Sequence, residues 1–337
     1  MKPIAVDLMG GDKAPEVVAE ALRIVASEHS IPIIAVGTRQ ALDLVTDLGL
    51  AGYVEATEVI AMDDDPASSI RRKRDSSLVR CAEIVKDGEA SGLFSAGNTG
   101  AAMAAALTKM GRIRGVKRPA IATTIPVPGS TPTVLLDSGA NAECTPEWLV
   151  QFAVMGSIFS TDRFGIEVPK VGLLSIGEES SKGNLLVKTT NALLANDPRI
   201  HFIGNVEGRD VMTREVDVVV TDGFSGNVVL KTLEGGLQVF AKAVLEHLMK
   251  GDDGPEVFER VYPKLEPLVK ELSADTYGGA ALLGVQGLCM IGHGSSTPLA
   301  IVNALVAAAS LVEMDLVHAL EDSLGGGATR EEVGQYA

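Results

Sequence analysis

Six times along the chain, a short apolar run ends in a loop of glycine and small polar residues. The loops are MGGD (9–12), SAGNTG (95–100), DSGAN (137–141), GEESSKGN (177–184), GNVEGRD (204–210) and DGFSGN (222–227). Apolar runs bounded by turns and alternating with helical spacing predict an α/β sheet buried under helices. The fullest case is VDVVVTDGFSGNVVLKTLEGG, residues 216–236. Val218 to Val220 read as a buried strand, Asp222 to Asn227 as a tight loop, and Val228 to Leu237 as the start of a helix. In open α/β sheets ligands bind at such a junction. Glycine lets the backbone come close to a ligand, and the free N–H groups of a new helix favour an anion. An ordinary turn with a polar lip fits the same residues equally well.

In chain order, Ile4 to Leu8 is a strand, Pro15 to Ser27 a helix, Ile31 to Gly37 a strand and Arg39 to Leu48 a helix. The first loop reads GGD, not the GxGxxG of a dinucleotide site. Ile70-Arg71-Arg72-Lys73-Arg74 is the densest basic run and follows the acidic turn at 63–66. It suits either a solvated helix face or a landing site for an acidic partner or phosphate. After the strand Gly92–Ser95, the side chains of Ser95, Asn98 and Thr99 offer neutral donors, better matched to an oxyanion than to a metal. Val134 to Leu136 and Val171 to Ile176 are further strands, and Lys182 is the one cation in the loop after the second. Residues 251–276 are polar, carry Pro255, Pro263 and Pro267, and read as an excursion of mainly broken helix. Its apolar side, with Phe258, Tyr262, Leu265 and Leu268, suits a second subunit, a lipid surface or the protein's own body. Tyr277 to Gly284 reads as an apolar turn, and Leu288 to Ile291 runs into His293. A long helix follows from Ile301 to Leu320. Residues 1–330 are expected to form one catalytic α/β domain, with 328–337 a frayed tail.

Apolar residues are 46% of 337, enough for a sizeable core, and the formal net charge is −15. That charge argues against nucleic acid as a partner. Three cysteines without a CxxC pair fit a reduced chain. Asp7 and Asp12 interrupt the N-terminus too early for a signal peptide. No metal-site spacing, no GxSxG elbow and no cofactor motif stand out. His293 suits an acid, a base or a structural histidine. Several such polar loops at one sheet edge would make a groove rich in N–H donors, and no covalent nucleophile stands out. Such a groove fits phosphate bound, oriented and used as the attacking group.

The motifs MGGDKAP (9–15), RRKRDSS (71–77), SAGNTGA (95–101), LLDSGAN (135–141), IGEESSKGN (176–184), FIGNVEGRD (202–210), VDVVVTDGFSGNVVLKTLEG (216–235), YGGAALLG (277–284) and GHGSS (292–296) carry a family resemblance. In order, from about residue 3 to 327, the chain resembles the phosphate acyltransferases of bacterial phospholipid synthesis. The resemblance implies a three-layer open sheet like that of isocitrate and isopropylmalate dehydrogenases, with a helical excursion. It implies transfer of a fatty acyl group from acyl carrier protein to inorganic phosphate, without a cofactor. The acyl phosphate would pass to glycerol-3-phosphate acyltransferase. A cytoplasmic homodimer is implied, with weak peripheral contact at the inner face of the membrane through the excursion. On this resemblance Lys182 and Asn227 are the catalytic pair. Asp7, Gly10, Gly11, Asn98, Thr99, Asn141, Asp222 and His293 are expected around the substrate, and Arg71, Arg72, Lys73 and Arg74 at the carrier protein. Leu8 and Ala281 stand where the family commonly has Ala and Pro, and neither removes a reacting group. The rivals are a dehydrogenase of the same fold, a phosphate acetyltransferase acting on coenzyme A, and a scaffold that binds carrier protein without turnover.

Overall fold

The computed structural model describes residues 1–251 and 253–325, so the tail at 328–337 lies outside the described residues. In chain order the elements are β1 (Ile4–Asp7), α1 (Glu16–Glu28), β2 (Ile33–Gly37), α2 (Arg39–Asp43), β3 (Gly52–Glu55), α3 (Pro66–Arg72), α4 (Ser77–Lys86), β4 (Gly92–Ser95), α5 (Thr99–Ala105), β5 (Ala120–Ile125) and β6 (Thr133–Leu136). There follow α6 (Pro146–Phe164), β7 (Lys170–Leu174), α7 (Leu185–Leu194), β8 (His201–Val206), β9 (Val218–Val220), α8 (Gly223–Leu248), α9 (Gly254–Glu271), β10 (Ala280–Leu283), β11 (Leu288–Ile291), α10 (Pro298–Glu313) and α11 (Leu316–Leu324).

All strands join one sheet in the order β3-β2-β1-β4-β11-β10-β5-β6-β9-β7-β8. Alternate strand residues serve opposite helical layers, as the period of two requires. Ile4, Val6, Ile33 and Ala35 pack in the core beneath α1, α6 and α10, whereas Ala5, Ile34 and Val36 pack with α4 and α5. A third, smaller cluster of Ile125, Leu135, Val216 and Val219 lies under α8 through Val229, Leu230 and Leu233.

The sheet is mixed. Strands β1 to β4 and β11 run parallel to one another, and so do β6, β9, β7 and β8. Between them lie three antiparallel pairs, β11/β10, β10/β5 and β5/β6. An odd number of reversals points the two halves in opposite directions. The six polar loops are therefore divided between the two edges. MGGD and SAGNTG leave one edge, and DSGAN, GEESSKGN, GNVEGRD and DGFSGN leave the other. The register nonetheless brings two strand ends together at the centre. Ile291, the last residue of β11, pairs with Ala280. The next residue, Ala281, pairs with Ala122, and Ala122 with Leu136, the last of β6.

Three other readings change. Strand β10 occupies what reads in sequence as an apolar turn. The excursion is not mainly broken helix, because α9 is continuous with Pro263 and Pro267 inside it. The long helix expected from Ile301 divides at Asp315, whose φ is 57°. Among the described residues no single helix is long and apolar enough to cross a membrane. The bent pair α10–α11 passes on length and composition, yet α10 buries Ile301, Leu305, Ala308 and Leu311 in the core.

Candidate active site

The DGFSGN stretch is helix, not loop. Asp222 caps α8, its Oδ1 accepting the Ser225 N–H at 2.8 Å and its Oδ2 the Ser225 hydroxyl at 3.0 Å. A capped Asp with glycine behind it starts a helix at once, five residues before the apolar spacing becomes visible. The glycines serve packing. A Cβ on Gly226 would stand 1.9 Å from the Asp137 carbonyl oxygen, and one on Gly223 2.7 Å from the Asn141 carbonyl oxygen and 2.8 Å from Asp137 Oδ2. The first turn of α8 is thus pressed onto the DSGAN loop, and carboxylates already occupy its positive end. The anion expected at this helix N-terminus has no place there.

Asp137 is the hub of that loop. Its Oδ1 accepts the N–H groups of Ile121 (3.0 Å), Gly139 (3.1 Å) and Ala140 (2.9 Å). Its Oδ2 accepts from the Asn141 backbone (2.7 Å) and the Asn141 amide (2.9 Å). The other Asn141 amide proton goes to the Pro119 carbonyl at 2.9 Å. Asn141, expected at the substrate, is therefore engaged in holding the loop, and Asp222 in capping α8. Cys144 lies alongside, its thiol 3.6 Å from the Asn141 carbonyl. Burial pushes that thiol up to about 12, far from a nucleophilic thiolate at neutral pH. Asn227, one turn into α8, is different. It is exposed, its amide makes no hydrogen bond among the described residues, and it faces Gly139, whose added Cβ would lie in ordinary contact with it at 3.8 Å.

At the other half, Asp7 is buried. It accepts from Met9 N–H at 3.0 Å and the Ser95 hydroxyl at 2.7 Å. Burial raises its carboxyl above the ordinary range, while the Ser77 and Ser95 hydroxyls oppose the rise. A Cβ on Gly10 would meet Gly97 N and Ser95 Oγ at 2.7 Å. Gly11 has φ 119° beside the Gly294 carbonyl. These three residues knit loops together and do not face the cavity described below. Asn98 caps α5 through Oδ1 (3.0 Å to Ala101 N), and its two amide protons reach the carbonyls of Met62 (2.9 Å) and Asp64 (3.0 Å). The free donor expected at Asn98 is thus already engaged.

Where the two halves meet lies a cavity of about 190 Å³. Thr99 and His293 reach it from one half, Ser138, Asn227 and Lys231 from the other, and Thr123 and Tyr277 from the centre. His293 Nδ1 accepts the Ser295 N–H at 3.3 Å and lies 2.7 Å from Ser295 Oγ. Burial, with Glu271 adding, raises the Tyr277 phenol above its usual 10.0, keeping it a donor at neutral pH. The Thr123 and Ser138 hydroxyls lie 2.6 Å apart. Lys231, paired with Glu234 at 2.8 Å, is the lysine of this cavity. The sequence reading missed it. Its signal was the four-residue step from Asn227, which puts both on one helix face.

Lys182 does not line this cavity. It is exposed in the loop after β7, its stem across Gly177, where a Cβ would touch Lys182 Cγ at 2.9 Å. Because β7 is the parallel neighbour of β9, this loop leaves the same edge as the strand that leads into Asn227. Of the basic run, Arg71, Arg72 and Arg74 are exposed. Lys73 is half-buried, tied to Asp64 at 2.5 Å and the Val59 carbonyl at 2.8 Å, so it is not free to meet a partner.

The sheet and its helices have the architecture of phosphotransacylases. The branched-chain phosphotransacylase of Enterococcus faecalis matches with a TM-score of 0.62 at 16% identity, over 92% of this chain and 99% of its own. A phosphotransacetylase from Streptococcus pyogenes matches at 0.60 and 17%, over 92% and 94%. In sequence, the family model described as fatty acid synthesis protein matches residues 2–319. The phosphate acyltransferase of Trichormus variabilis is 45% identical over 325 residues, covering 94% of this chain and 95% of its own. That of Pelotomaculum thermopropionicum is 45% identical over 325 residues, covering 95% and 94%. The chain belongs to the phosphate acyltransferase family.

Proposed function

We propose that this enzyme transfers a fatty acyl group from acyl carrier protein to inorganic phosphate, releasing acyl phosphate and free carrier protein. The observation that carries this reading is the cavity at the meeting of the two half-sheets, lined by Asn227, Lys231, His293 and Tyr277. It offers a cation and neutral donors. Phosphate held there attacks the thioester carbonyl, and the donors meet the negative charge that grows on its oxygen. Asn227 is the donor to that oxygen. Lys182, from the neighbouring loop, and Lys231 are the cations that neutralise phosphate. The scaffold is taken to be of the isocitrate and isopropylmalate dehydrogenase kind, with residues 1–330 acting as one catalytic unit and without a cofactor. Labelled phosphate should appear in the acyl product. Release of carrier protein at the same rate without phosphate would overturn the assignment. Turnover of acetyl-CoA in place of long-chain acyl carrier protein would favour the acetyltransferase reading.

Acyl carrier protein is proposed to dock on Arg71, Arg72 and Arg74, in a cytoplasmic setting. The N-terminus of α3 packs against α5, since a Cβ on Gly100 would meet Pro66 at 2.7 Å. One short helix, about 10 Å, then separates the basic end from Thr99. Rim charges chiefly set encounter rate and salt dependence. Arg71→Glu with Arg72→Glu should raise the apparent KM for acyl carrier protein several-fold at low salt and flatten its salt dependence. An unchanged KM would place docking elsewhere.

The excursion, now helix α9, is proposed to lie at or near a homodimer interface, with weak peripheral contact at the membrane for handover of acyl phosphate to glycerol-3-phosphate acyltransferase. Phe258 and Tyr262 stack at 4.9 Å on its apolar side, while Asp253, Glu256 and Glu259 oppose anionic lipid. Flotation with anionic vesicles should recover a minor, salt-sensitive fraction. Complete, salt-resistant flotation would contradict weak binding.

A further inference from the structure

A second groove continues the cavity. It shares Thr123, Thr124, Leu230, Glu234 and Asp275 with it, and has a volume of about 290 Å³. Its floor is the buried pair Ile125 and Pro126 at the end of β5. Its wall is one face of α8, with Leu230, Leu233 and Leu237, and Leu272 lies just past the end of α9. From Leu230 to Leu237 the wall runs two turns, about 10 Å. The far side is tied down, since the Gly129 N–H donates to Glu271 Oε1 at 2.6 Å.

We infer that this groove holds the acyl chain of the thioester, and that Leu233, Leu237 and Leu272 set the chain length the enzyme accepts. The inference rests on the acyl transfer proposed above. Its own support is the gradient along one continuous channel. Donors and the lysine cluster where Asn227, Lys231 and His293 meet, and half-buried leucines follow on the adjoining face of the same helix. A thioester substrate has that polarity, with a polar reacting carbonyl and an apolar tail. The leucines remain partly open to solvent, as expected of a wall awaiting a flexible chain. Glu234 and Gln238 form the polar rim.

Filling the groove tests this. Leu237→Trp and, separately, Leu233→Phe should be compared with wild type on hexanoyl- and palmitoyl-acyl carrier protein. Each buried methylene changes affinity about fourfold, so displacing two costs about sixteen-fold. The ratio of kcat/KM for palmitoyl over hexanoyl substrate should fall at least tenfold. Binding of a palmitoyl phosphonate, measured by calorimetry, should weaken in parallel while circular dichroism and melting remain those of a folded protein. An unchanged ratio and unchanged phosphonate affinity in both folded variants would overturn the groove assignment and leave the proposed reaction standing. A changed oligomeric state with an unchanged ratio would also overturn it, giving the leucines to a second copy of the chain. Wild-type enzyme that shows no phosphate-dependent loss of thioester, yet binds the phosphonate through Leu237, would sink the proposed reaction and not the groove.

Discussion

Gly226→Ala is expected to lose both stability and turnover, although it adds one methyl group. The new Cβ would stand 1.9 Å from the Asp137 carbonyl oxygen, a backbone atom that no rotamer change can move. Asp137 itself is pinned by donors from Ile121, Gly139, Ala140 and Asn141. The clash must therefore be relieved by lifting the first turn of α8 off the DSGAN loop. Overpacking of a rigid site typically costs about 1–3 kcal/mol and sometimes more. Asn227 is the next residue, and a displacement near 1 Å can cost about 10² in rate. Gly235→Ala, on the same helix, is the control. Its Cβ meets nothing within 4 Å, so it should gain up to about 1 kcal/mol from helix propensity alone. Thermal melts and steady-state kinetics on both variants decide the matter. A Gly226→Ala protein with wild-type melting and kcat would mean that the helix–loop contact is slack.

The strand-loop-helix rhythm was legible because buried strands here are short, β-branched and cut off by glycine. Val218 to Val220 stands where the sequence puts it, and the first strand ends at Asp7, one residue before the Leu8 expected. The reversal of direction across β10, β5 and β6 was not legible, because hydrophobic pattern carries no strand direction. That reversal decides which loops share a site. MGGD looks like a ligand loop in sequence, yet Asp7 and Gly10 are buried among Ser95 and Gly97. The same blindness affects polar side chains. Asn98, Asn141 and Asn227 are equal as donors in a sequence, and only contacts reveal that the first two are engaged with backbone carbonyls while the Asn227 amide makes no hydrogen bond among the described residues. Lys231 was passed over because one lysine on a helix resembles any solvated lysine. The cavity beside it comes from residues more than a hundred positions away in the chain, Thr99 and Thr123.

Asn227→Ala and Lys182→Ala should remain folded and lose most turnover. Neither side chain makes a hydrogen bond among the described residues, and both are exposed, so truncation leaves no buried group unpaired. The cost falls instead on the transition state. As phosphate adds to the thioester, charge builds on the carbonyl oxygen, and removing one donor aimed at it typically costs roughly 2.7–4 kcal/mol, about 10²–10³ in kcat. Asn227→Ala should show that loss in kcat with little change in the KM for phosphate. A cation that holds phosphate acts in both the ground state and the transition state, so its loss should raise KM as well. Two lysines compete for that role, and their positions separate them. Lys231 lines the cavity, and its pair with Glu234 is partly exposed, so truncating it costs little stability. Lys182 lies on the adjoining loop. If Lys231→Ala raises phosphate KM tenfold or more while Lys182→Ala lowers kcat at a normal phosphate KM, Lys231 binds phosphate and Lys182 serves the developing charge. The reverse pattern would assign phosphate to Lys182. A folded Lys182→Ala enzyme with normal kcat and normal phosphate KM would remove that residue from the mechanism and leave the cavity's own donors, with Lys231, to carry the reaction.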